Sequence, residues 1–281
     1  MGKTIAVLFH EKRSINSLRN YTITYLADFW REDGHKVVFL FGTKQFISAD
    51  ICIVHVDLSV VPEEYLAFAS QYPITINGKI SDISKKSFSN NIVRQDDQYL
   101  GQVIVKSNLN YAGRPEKILL GNPISRLLSR SDIKFNFLSR YFKSPQDYKI
   151  YEHASDVPSV YYQDPYYIVE KFLPEKKEDI YYVNLFYFFG DCYQCLKLGA
   201  KNPIVNGQVP GSCEAASPHP DIYKIREGMS YDYGKFDYCV NNGKVILLDA
   251  NKTVGVGGIR YVKQLTKVYR QRADALYSYF D

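Results

Sequence analysis

The run KTIAVLFH, residues 3–10, is apolar without alternation, the pattern of a strand covered on both faces. Residues 14–41, SINSLRNYTITYLADFWREDGHKVVFLF, read as an amphipathic helix closed by Asp33-Gly34 and followed by a second strand. DICIVHV (50–56) supplies a third strand, PEEYLAFASQY (62–72) a helix with proline at its first turn, and PITIN (73–77) a fourth strand ending at Asn77-Gly78. Strands alternating with helices predict a small parallel α/β sheet over residues 1–78. From Lys79 onward the strands lengthen, fill with tyrosine and meet at hairpin turns such as FFGDCY (188–193) and NNGK (241–244), which predicts antiparallel sheet. Residues 125–142 and 259–280 read as helices, the second with a basic face expected to be solvated. A boundary near Gly78 follows.

Composition narrows the function classes. With 281 residues, 46% apolar and 15% aromatic, the chain can bury a sizeable core. Its net charge of +5 arises from 35 basic and 30 acidic residues spread along the sequence, which suits anionic ligands such as nucleotides but supplies no basic tract for nucleic acid. No run approaches the ~18 apolar residues of a membrane span, and the opening apolar run is too brief for a secretory signal; a soluble, cytoplasmic protein without a membrane partner is expected. The five cysteines make no disulfide framework, and CYQC (192–195) has no second pair, so packing is favoured over metal or redox chemistry. FHEKRS after the first strand lacks the glycine fingerprint of a dinucleotide site. The 25 tyrosines and 16 phenylalanines are read as core material rather than as an aromatic groove.

One stretch carries chemistry. In YGKFDYCVNNGKVILLDANKT (233–253) two acids and an asparagine interrupt two otherwise buried strands. A three-residue loop, Asn241-Asn242-Gly243, sets Asp237, Asp249 and Asn251 on one face; a two-residue loop at Asn242-Gly243 turns Asp237 to the other. If they converge, the oxygens suit Mg²⁺ or Mn²⁺ beside phosphate. Otherwise Asp249 and Asn251 simply end the strand and cap the next loop.

FDY, the hairpin and VILLDANKT together resemble the metal-binding end of the ATP-grasp superfamily, which includes D-alanine:D-alanine ligases, glutathione synthetases and ribosomal S6 modification-type ligases. Three more motifs follow the family order: VIVKSNLNYAG resembles the phosphate-lysine strand and its loop, YIVEKFLPE the adenine hinge, and YYVNLFYFFGD the strand pair after the ribose-binding acid. The resemblance implies an ATP-grasp fold, α/β and α+β, with a small parallel N-terminal domain (1–78) before two subdomains (79–169 and 170–281) whose antiparallel sheets clasp ATP.

By that resemblance Lys106 contacts phosphates with Lys85 or Lys86 as a second cation. Glu170, Lys171, Phe172 and Leu173 hold adenine, mainly through backbone groups, and Val105 and Leu248 sandwich the ring. Glu178 is chosen from Glu175, Glu178 and Asp179 for the ribose. Asp237, Asp249 and Asn251 hold one or two Mg²⁺, or Mn²⁺. Lys235 stands beside the reacting carboxyl group, with Lys197 and Arg260 as weaker candidates for the same catalytic work. The implied activity is ATP-dependent ligation of a carboxylate to an amine or related nucleophile through an acyl phosphate, with a peptide among the acceptors considered and a homodimer as a common family state. A kinase-like reaction and a non-catalytic nucleotide-binding protein are the alternatives.

Overall fold

The computed structural model describes residues 2–121, 147–205, 211–256 and 266–280. The expected helix at 125–142 and Arg260 lie outside the described residues.

The first unit is a parallel sheet of β1 (Thr4–Phe9), β2 (Lys36–Phe41), β3 (Ile51–Val54) and β4 (Ile74–Ile76) in the order β2-β1-β3-β4. β1 shows why an unbroken apolar run was needed. Ile5, Val7 and Phe9 pack with Ile23, Leu26, Ala27 and Trp30 of α1 (Thr22–Glu32), whereas Ala6 and Leu8 pack with Tyr65, Phe68 and Ala69 of α2 (Glu63–Ala69). Both faces are therefore covered, as a parallel sheet requires. α1 stops at Asp33, and Gly34 takes the left-handed conformation (φ 85°) that lets the chain turn into β2.

Residues beyond the first unit form two antiparallel sheets. β5 (Val103–Ser107) lies between β6 (Lys149–Tyr151) and β7 (Tyr167–Lys171). The larger sheet runs β11-β10-β9-β12-β13, with β8 (Glu175–Lys177) also on β9. Its strands are β9 (Ile180–Phe189), β10 (Cys192–Ala200), β11 (Ser212–Ala215), β12 (Tyr233–Asn241) and β13 (Lys244–Asn251). Short helices α3 (Lys85–Phe88) and α4 (Arg114–Leu119) flank β5, α5 (Val160–Gln163) leads into β7, and α6 (Pro220–Gly228) covers the apolar face of the larger sheet. Cys192 and Cys195, three apart on β10, are not gathered as a pair: Cys195 is buried in the core under α6, and burial raises both thiols above their ordinary values.

Two features lock the units together. Asn77, wholly buried and left-handed (φ 59°), donates through Nδ2 to Tyr233 O and accepts from the amides of Asp232 and Tyr233. α7 (Thr266–Asp274) packs on α1, where Trp30 Nε1 donates to Ala273 O at 2.9 Å. α7 departs from the expected solvated basic face at one residue: Lys267 is exposed, but Arg272 is 4% exposed, donates to Gln194 Oε1 at 2.9 Å and lies 5.0 Å from the Tyr187 ring centre. A guanidinium tolerates this because rings cover its face while its edge keeps a hydrogen-bond partner.

Candidate active site

A cleft of about 780 Å³ lies between the two antiparallel sheets and opens onto the C-terminal ends of the parallel strands. β5 alternates across it. Val103 and Val105 enter an apolar core with Val169, while Ile104 and Lys106 line the cleft. Val105 therefore cannot stack on a ring in the cleft, and Ile104 takes the apolar position expected of it. Lys106 Nζ pairs with the Glu170 carboxylate of β7 and donates to Leu248 O at 3.4 Å, both charges being almost fully buried. Lys171, Phe172 and Leu173 continue from β7 along the cleft wall, and the Phe172 amide donates to Gln102 O at 2.8 Å. Leu185 and Leu248 face them from the larger sheet.

The β12–β13 hairpin settles the loop question in an unexpected way. Asn241 pairs with Lys244, so the loop is the two-residue Asn242-Gly243, with φ of 48° and 74°. This is the doubly left-handed geometry whose twist suits hairpins. Alone, that register would turn Asp237 away from Asp249. A β-bulge compensates: Tyr238 pairs with Leu247, but Asp237 pairs with Asp249 and Lys235 with Asn251, Leu248 being the extra residue. Lys235, Asp237, Asp249 and Asn251 thus all line the cleft, while Phe236, Tyr238 and Ala250 enter the core beneath. Gly243→Ala is expected to cost about 1 kcal/mol, because a Cβ disfavours the left-handed region; thermal unfolding measures it.

Charges alternate along this face. Lys235 Nζ lies 2.9 and 3.1 Å from the two oxygens of Asp237, and Lys85 Nζ lies 3.0 Å from Asp249 Oδ1. Burial, reinforced by the Asp249 charge and opposed by Lys235, raises the Asp237 carboxyl above its ordinary value. Burial by itself would lower Lys85 and Lys235, yet the carboxylates beside them hold both above the ordinary lysine value. Asp237 Oδ1 and Asp249 Oδ1 are buried and, despite the adjacent ammonium groups, receive no hydrogen bond of good geometry. Asn251 Oδ1 accepts the Thr253 amide at 2.8 Å, so it also caps the turn after β13. Among the described residues no three His, Cys, Asp or Glu side chains gather, and the donor set is two carboxylates and an amide oxygen. Such hard, under-satisfied oxygens fit Mg²⁺, which uses few protein carboxylates and completes its shell with water and phosphate.

The other candidates separate clearly. Lys85 is 3% exposed and reaches the cleft, whereas Lys86 is exposed on the far side of α3 and does not line it. Glu178 is exposed in the β8–β9 turn, left-handed at φ 53°, and also lies outside the cleft. Lys197 is absent from the cleft wall as well, because Glu175 Oε1 holds its Nζ at 2.5 Å beside the Tyr182 ring. Sequence reasoning missed Arg13, Tyr21, Asp57 and Thr253 at the far end of the cleft. Asp57 accepts from the Tyr21 hydroxyl, from Arg13 at 2.8 Å and from Thr253 Oγ1 at 2.7 Å. A usable signal existed: Asp57 follows β3 at the carboxyl end of a parallel sheet, where ligand sites collect.

No protein-family model matches the chain, and no curated protein matches it. Solved structures do. The chain is similar to the Chryseobacterium gregarium RiPP-associated ATP-grasp ligase in complex with ADP and a leader and core peptide, with TM-score 0.54 at 10% identity over 98% of this chain and 97% of that one. It is similar to the ATP-grasp ligase PsnB complexed with minimal precursor, with TM-score 0.54 at 11% identity over 100% of both chains. A PsnB complex with a phosphomimetic minimal precursor, Mg and ADP gives TM-score 0.50 at 11% identity over the same extent. The parallel unit, the two antiparallel sheets and the cleft between them thus make up an ATP-grasp fold.

Proposed function

We propose that the protein is an ATP-dependent ligase that activates a carboxylate as an acyl phosphate and joins it to an amine or related nucleophile. The carrying observation is the pairing of Asp237 with Asp249 across the bulged hairpin, with Lys85 and Lys235 ion-paired to them in the cleft. Asp237, Asp249 and Asn251 would hold Mg²⁺, which neutralises triphosphate charge when bound.

The chain's own groups account for the rest. The Lys171–Leu173 wall, Ile104, Leu185 and Leu248 form an apolar slot with backbone polar edges, suited to adenine. Lys106 and Lys85 line the same cleft and would supply fixed positive charge to phosphate oxygens. Lys235 draws the substrate carboxylate toward the γ-phosphoryl group, and its elevated pKa keeps it charged near neutrality. Phosphoryl transfer asks mainly for such positioning and charge neutralisation, so no side-chain nucleophile is needed.

The ligases of similar fold were solved with precursor peptides, which supports a peptide as one substrate. Incubation with Mg-ATP and a pool of amino acids, metabolites and peptides tests the reading. ADP release together with a new mass corresponding to an amide supports it; a product gaining only a phosphoryl group makes the protein a kinase, and no ADP release refutes catalysis.

A further inference from the structure

Asp57 belongs to the first unit, yet a single residue separates it from the metal hairpin. Thr22 N donates to Val254 O and Val256 N to Asn20 O, so the segment after β13 runs along the start of α1. This brings Thr253 Oγ1 to 2.7 Å from Asp57 Oδ1 and 3.3 Å from Asn251 Oδ1. A hydroxyl has one proton and here faces two acceptors. The carboxylate is nearer and charged, so it takes the proton. Arg13 and Tyr21 both donate to the other carboxylate oxygen, which leaves Asp57 Oδ1 to Thr253.

For Asn251 the consequence is electronic as well as geometric. The Thr253 amide, 2.8 Å away, orients the Asn251 side chain with oxygen rather than nitrogen toward it. That bond uses one lone pair of the oxygen. The second stays unclaimed only while the Thr253 hydroxyl points at Asp57. We propose that Asp57 is a positioning residue of the metal site, which holds the Thr253 hydroxyl proton away from Asn251 and so leaves the amide oxygen free for a divalent cation. The proposal rests on the metal reading of the hairpin given above. Groups that orient metal ligands typically contribute 10–100-fold in affinity.

Mn²⁺ is the probe, its free concentration followed by electron paramagnetic resonance in the presence of a non-hydrolysable ATP analogue, with thermal unfolding as the check on folding. Asp57→Ala is expected to weaken Mn²⁺ binding about tenfold, because the Thr253 hydroxyl then turns to Asn251. Asp57→Asn, which keeps the shape and a weaker acceptor, gives a smaller loss and serves if the alanine variant does not fold. Adding Thr253→Val to either variant removes the competing proton and is expected to recover most of the lost affinity. A purely structural role predicts no recovery. Unchanged affinity in both single variants, or a double variant no tighter than its parent, overturns the proposal while leaving the metal site standing. A wild-type protein that binds no Mn²⁺ with nucleotide overturns the metal reading and this proposal together.

Discussion

Asp249→Asn is expected to lower ADP release from Mg-ATP by a factor on the order of 10²–10³, corresponding to a few kcal/mol of lost charge stabilisation. Asparagine preserves the shape and an acceptor oxygen but removes the charge opposed to Lys85 and to the cation. The asparagine variant is preferable to alanine, because Lys85 is 3% exposed and pairs with Asp249 at 3.0 Å. Removing that partner altogether would leave a buried ammonium with neither counter-charge nor acceptor, at a cost of about 3–5 kcal/mol, and would confuse unfolding with lost catalysis, whereas the asparagine oxygen still accepts from Lys85. Lys86→Met is the matched control: its side chain is exposed and outside the cleft, so turnover should stay at the wild-type level. Turnover of Asp249→Asn within threefold of wild type would remove the hairpin from the reaction.

The legible parts of this molecule are those fixed by period. β1 reads as covered on both faces because both faces are apolar, and the two apolar sets in fact enter different cores. The same pleat overrules the resemblance at one position: strand alternation puts Ile104 beside Lys106 on the cleft face, and Val105 on the other. That correction was available in the sequence. The bulge at Leu248 was not. Its extra residue presents a carbonyl to Lys106, a lysine 142 positions away, and no local pattern around NNGK announces that contact. Glu178 illustrates a further limit, since a run such as PEKKED supplies several acids and only the β8–β9 turn decides which of them face solvent. Arg272 likewise looks like a surface cation until the rings of Tyr187 and Tyr269 close over it.

The other large effect concerns acid and stability. His55, 1% exposed, packs against the rings of Phe9, Tyr21 and Tyr233, and neither ring nitrogen has a hydrogen-bond partner. Burial pushes its pKa down to about 3, with Asp57 opposing and Lys252 and Arg13 assisting. Unfolded, the same imidazole titrates near 6.5. Between those values the unfolded chain binds the extra proton, so stability is intact above about pH 6.5 and falls as the pH drops toward 3. The loss from this residue should reach about 2 kcal/mol at pH 5 and about 3 kcal/mol at pH 4, taking about 1.4 kcal/mol per pH unit. Urea unfolding at pH 7.5, 5 and 4 measures it, and the difference between wild type and His55→Leu isolates it from the carboxylates. The leucine variant, which carries no proton and leaves no imidazole nitrogen unpaired, should lose less stability across that range by about the same amount. Parallel pH curves for the two proteins would mean that His55 acquires a partner on protonation. Because His55 lies between the end of β3 and Asp57, acid loosening at this point is also expected to weaken nucleotide binding before the chain unfolds, a shift visible as a falling thermal response to Mg-ATP between pH 6.5 and 5.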